Sequence, residues 1–173
     1  MLDLIFETID LRSFSNLWYW IALAVLWSTT SHWILGAPYD LIQRAAREGG
    51  VPLGDLQAVV TVHVRRTLFI ARQLGVWLVG GVFFALTSLA ILGFSYDLEF
   101  AQSLVLMAFP MSIVWALSIR TAFKIEAEGL SPDTLFRRLR GLRTQIHLIG
   151  VISIVATASY GTFLNFGGAK GFY

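Results

Sequence analysis

The chain has 173 residues, enough for one domain, with 56% hydrophobic and 14% charged side chains and a mean hydropathy of +0.68. A soluble domain carries about 45–50% apolar and about 25% charged residues, so this is the composition of a membrane protein. Net charge is only +2, no nucleic-acid partner is expected, and the lack of cysteine excludes disulfides, cysteine-ligated zinc, thiolate-held iron–sulfur clusters and thiol catalysis within the chain.

At the N-terminus, Leu2, Ile5, Phe6 and Ile9 share one helical face, and Asp3, Glu7 and Asp10 fall on the other. That spacing predicts a short amphipathic helix lying in the membrane interface. The acids stand where a secretory signal has its basic region, and no small-residue cleavage site follows. The first apolar run is therefore expected to be retained. Ser13 or Ser15 can cap the next helix, and Trp18, Tyr19 and Trp20 suit an aromatic belt.

Residues 17–36, LWYWIALAVLWSTTSHWILG, carry no ionised side chain. At ~1.5 Å per residue they reach about 30 Å, the thickness of a bilayer's hydrocarbon core. They predict the first of four transmembrane helices. Between Trp27 and Trp33 lies a polar knot, Ser28-Thr29-Thr30-Ser31-His32. Ala37-Pro38 then stops the helix, and a short helix from Tyr39 to Glu48 closes on Gly49-Gly50. Pro52 and Gly54 read as a turn. From Asp55, the apolar or weakly polar Val59, Val60, His63, Val64, Leu68 and Ile70 among Arg65, Arg66 and Arg72 predict an amphipathic helix running into a second span at 74–94, with a bend near Gly75 left open.

The second span holds Gly80, Gly81 and Ala85. Gly81 and Ala85 make a small-xxx-small pair that lets a neighbouring helix approach closely. Residues 95–99 form a tight acidic turn. The third span, 100–119, has Pro110 near its middle, which frees a carbonyl for a neighbour or Ser112 to satisfy. Helical pattern continues to Glu128, and Gly129 ends it. Ser131-Pro132-Asp133 then gives an N-cap, a proline in the first helical position and an acid opposing the dipole. The fourth span, 145–166, places Gly150, Ser153, Ala156 and Ser159 at intervals of three. The fold class is thus an all-α membrane protein: one domain, four spans, an N-terminal interfacial helix and helical cytoplasmic extensions.

Eleven of the 13 Lys and Arg residues fall in the segments 37–73 and 120–144; only Arg12 and Lys170 lie on the other side. The positive-inside rule puts the eleven in the cytoplasm and both termini in the periplasm of a bacterial inner membrane.

The run Asp10-Leu11-Arg12-Ser13-Phe14-Ser15-Asn16-Leu17-Trp18-Tyr19-Trp20, continuing through Trp27-Ser28 and Ser31-His32-Trp33, resembles a small family of alphaproteobacterial membrane proteins labelled as components of a SufBCD complex. Glu99-Phe100-Ala101-Gln102 and Ala108-Phe109-Pro110-Met111-Ser112 carry the same resemblance. It implies an alphaproteobacterial inner membrane. The label also implies iron–sulfur assembly, which a cysteine-free, membrane-embedded chain does not support.

An ionisable group inside a span is a functional candidate because it needs a partner there. His32 is that group here, and its bland alternative is a neutral imidazole bonded to Ser28 or a facing helix. His147, near the start of the fourth span, sits at similar depth, so His32 and His147 are together candidate b-type haem ligands. No other metal or cofactor is expected. Ser28, Thr29 and Ser31 can line a polar path or meet a partner. Arg137, Arg138, Arg140 and Arg143 are candidates for anionic lipid headgroups, each worth on the order of 1 kcal/mol near the surface. No Walker loop, HExxH motif, nucleophile elbow or paired carboxylate occurs, and no catalytic residue is assigned. Three functions fit these features. The first is a non-catalytic accessory or assembly subunit packed against a larger integral membrane complex through Gly80, Gly81, Ala85 and the Ser28–His32 run. The others are a small transporter or channel subunit, and a haem electron-transfer module.

Overall fold

The computed structural model describes residues 17–167, which form five helices and one two-stranded hairpin. In chain order these are α1 (Leu17–His32), β1 (Trp33–Ile34), β2 (Ala37–Pro38), α2 (Tyr39–Glu48), α3 (Gly50–Phe94), α4 (Glu99–Glu128) and α5 (Pro132–Gly167). The interfacial helix expected over residues 2–10, the Ser13 or Ser15 cap and the tail beyond Gly167 lie outside the described residues. Helices α3, α4 and α5 are long and apolar enough to cross a membrane.

Helix α1 ends at His32, short of the Gly36 boundary expected for the first span, and its 16 residues reach about 24 Å. The cause is local. Leu35 (φ +48°) and Gly36 (φ +77°) are both left-handed, the backbone of a two-residue hairpin turn. Trp33 pairs with Pro38 and Ile34 with Ala37. Leucine in this region costs about 1–2 kcal/mol, and its side chain is buried, which holds it there. A Cβ on Gly36 would lie 2.5 Å from Nδ1 of His63, so only glycine fits.

Helix α3 is continuous over 45 residues, about 68 Å, more than twice a bilayer's ~30 Å core. Gly75 does not interrupt it. Pro52 and Gly54 are not a separate turn; both lie within α3, Pro52 in its first turn, where N–H groups lack intrahelical partners and proline is tolerated, and Gly54 just beyond it. The reversal falls instead at Gly49 (φ +62°) and Gly50 (φ +49°). At the other end, Gln102 Nε2 donates to the Gly93 carbonyl at 2.8 Å, and a Cβ on Gly93 would meet the Gln102 backbone nitrogen at 2.9 Å. This close approach sets how α4 leaves α3.

The buried core does not lie in the apolar half of α3, whose most hydrophobic window contains no buried residue. Most of it lies in the helical extensions, joined by Leu23 and Trp27 of α1 and Val114 of α4. Leu56, Val60, Val64 and Leu68 of α3 meet Ala122 and Ile125 of α4 and Leu135, Leu139, Leu142 and Ile146 of α5. Ile42 and Ala45 of α2, with Ile34, Leu35 and Ala37 of the hairpin, close this core. Around it, Arg72 makes a two-pronged ion pair with Glu126 (3.2 and 2.6 Å). Gln57 Nε2 donates to the Leu130 carbonyl at 2.8 Å, and Arg138 pairs with Glu128. Exposed pairs of this kind contribute little to stability, because solvent screens them. Apolar burial holds the extensions together, and the ion pairs fix register.

Gly129 (φ +82°) ends α4 and α5 starts at Pro132, with the Leu135 N–H on the Ser131 carbonyl at 2.9 Å. The expected helix break over 129–131 is where the chain turns. Pro110 is buried inside α4. Ser112 Oγ donates to the Phe109 carbonyl at 2.6 Å, so it does not reach the carbonyl of Leu106, four residues before the proline. The small residues of α5 also sort differently from the expected interval of three. Gly150, Ser153, Thr157 and Gly161 are buried, whereas Ala156 and Ser159 are exposed.

His63 is half-buried against Gly36. Burial, and secondarily the Arg66 charge, hold its pKa below the ordinary histidine value. As pH falls through about 6.5 the unfolded chain takes up this proton first, so stability is full above that pH and declines below it. Between about pH 7.5 and pH 5.5 the thermal midpoint in detergent should therefore drop more for wild type than for His63→Gln. Equal drops would remove His63 as the cause.

Candidate functional site

The polar knot of α1 divides between two faces. Thr30 Oγ1 donates to the Leu26 carbonyl at 2.7 Å and lies 3.8 Å from Met111 Sδ, facing α4. Ser28, Thr29, Ser31 and His32 face the other way, into a groove of about 720 Å³ between α1 and α5. The α5 wall is Arg143, His147, Gly150, Val151 and Ile154. His32 and His147, 115 positions apart by their numbers, therefore line one cavity.

The groove exists because α1 and α5 meet at a large residue on a small one. Trp27 is buried, and a Cβ on Gly150 would lie 2.9 Å from its Cε3. The contact anchors the helices while the polar ends of both remain apart. Tyr39, the first residue of α2, stands at the mouth, and the Arg143 guanidinium sits 3.4 Å above its ring. That stacking leaves the guanidinium N–H groups available as donors. Among the described residues, Arg143 Nε is buried with no partner, as is Trp27 Nε1. His32 rests edge-on to Trp33, centroids 5.9 Å apart. Among the described residues no carboxylate lines the groove, and no group of three or more His, Asp or Glu is placed to hold a metal.

The arginines of 137–143 have separate fates. Arg138 is engaged with Glu128, whose carboxyl this bond holds below the ordinary carboxylate range. Arg137 lies 3.9 Å from the same carboxylate. Arg140 sits 6.0 Å from the centroid of the Phe136 ring. Arg143 enters the groove.

Gly80, Gly81 and Ala85 are not part of this site. All three are exposed on α3, and among the described residues a Cβ on either glycine would meet nothing within 4 Å. Ala85 borders a shallow apolar hollow of about 310 Å³ shared with Met111 and Trp115 of α4. Sequence reasoning named both histidines and Arg143 but missed Tyr39, because a stacking partner supplied by a neighbouring helix has no local signature. Compared with family models, curated proteins and solved structures, the chain matches none.

Proposed function

We propose that this chain is a non-catalytic accessory or assembly subunit of a larger bacterial inner-membrane complex. It would cross the membrane four times with both termini periplasmic and the helical extensions in the cytoplasm. The glycine face of α3 carries the proposal. Each glycine inside a helix costs about 1 kcal/mol relative to alanine, and among the described residues Gly80 and Gly81 pack against nothing. By contrast, Gly93 and Gly150 are filled by Gln102 and Trp27. Lipid tails have no use for a small residue, whereas a second helix does, since helices in a bilayer associate through close backbone packing. The exposed hollow beside Ala85 offers that helix a place for a side chain. The orientation rests on the Lys and Arg bias.

The test is recovery from native membranes in mild detergent. Wild type should elute with a partner, well above the mass of the 19.3 kDa chain. Gly81→Ile should insert normally and recover about tenfold less partner, the equivalent of ~1.4 kcal/mol. A wild-type chain that elutes alone, or a Gly81→Ile variant with undiminished partner, would sink the proposal.

A further inference from the structure

The α1–α5 groove combines three properties that together select a ligand. It is cationic: Arg143 lines it, no described carboxylate does, and Arg143 Nε is buried without a partner among the described residues. It is rich in donors, with His32 and His147 imidazoles and the Ser28 and Ser31 hydroxyls on its walls. It is also graded along α5. Arg143 marks the polar end, and Val151 and Ile154 lie deeper, both exposed. Arg143 and Ile154 are separated by about 16 Å of helix. A buried guanidinium nitrogen without a partner is costly, and a phosphate oxygen is the acceptor that a guanidinium fork fits best. The volume of about 720 Å³ is in the range that takes drug-sized ligands, far more than an inorganic phosphate fills. The exposed aliphatic wall below the cation suits an acyl chain.

We propose that this groove binds one anionic glycerophospholipid. Its phosphate lies on Arg143, with His147, His32 and the serine hydroxyls as further donors, and one acyl chain runs along Val151 and Ile154. Lipid recognition is thereby concentrated in one residue of the arginine run. Arg138 is committed to Glu128 and Arg137 lies beside it.

The experiment uses the full chain, delipidated in a non-ionic detergent, and counts retained lipid by native mass spectrometry. Phosphatidylglycerol and phosphatidylcholine are the probes. Wild type should retain one phosphatidylglycerol and at least about tenfold less phosphatidylcholine. Arg143→Gln should lower retention by at least about tenfold, while Arg137→Gln, with the same loss of charge, should leave it near wild type. Val151→Trp removes no charge and fills the aliphatic wall; it should also abolish retention, and it decides the matter if Arg143→Gln does not fold. Equal losses in the two arginine variants would mean a diffuse surface charge and overturn the site. Undiminished retention in Val151→Trp would overturn the acyl slot. Displacement of the lipid by millimolar inorganic phosphate would assign the donors to a free anion and overturn the lipid.

Discussion

Leu139→Ala is expected to destabilise the fold by about 2–5 kcal/mol, the usual cost of a leucine-sized cavity in a packed core. Leu139 is 1% exposed at the centre of the extensions, where α3, α4 and α5 converge. No lipid can relax into the space left behind. Leu148, two and a half turns further along α5, is 61% exposed, and Leu148→Ala should cost only a fraction of that. Thermal or dodecyl-sulfate unfolding followed by helix circular dichroism distinguishes the two. Comparable losses would mean that the core does not lie in the extensions.

Gly150→Ile is expected to separate α1 from α5. The Cβ alone would come within 2.9 Å of the Trp27 ring, and the β-branch adds two further carbons in a helix that allows it little freedom. Overpacking of this kind costs about 1–3 kcal/mol. Because Trp27 is the obstacle, Trp27→Ala should rescue part of the loss, giving a favourable coupling in a double-mutant cycle. Purely additive effects would contradict the contact.

Much of the architecture was legible because its signals are local. The Gly129 stop and the Pro132 start need only a left-handed residue and a proline that fits the first turn, and both fall where the sequence puts them. The alternating charges and leucines of 135–142 likewise specify a helix with one buried stripe. Other features were not legible. The hairpin needs Leu35 at positive φ, a conformation that leucine does not advertise and that burial enforces. In sequence, Gly150, Ser153, Ala156 and Ser159 of α5 recur at intervals of three. Each such step falls about 60° short of a full turn, so Gly150 and Ser159 end up on opposite sides. The buried series Gly150, Ser153, Thr157, Gly161 mixes steps of three and four and stays on one face. The groove itself was half visible. His32, His147 and Arg143 each stand out in the sequence, but their meeting depends on Trp27 seating on Gly150, a long-range contact with no local mark.

Partner docking through the glycine face of α3 is tested most directly by photo-crosslinking in the native membrane. A diazirine side chain at Trp77, one turn before Gly81 and 81% exposed, would report on that face without altering the glycines. The same group at Phe83, about 200° around the helix from Gly81 and 67% exposed, reports on the opposite side. Docking predicts a discrete protein adduct heavier than the 19.3 kDa chain from position 77 and lipid adducts alone from position 83. Lipid adducts alone from both positions would contradict it.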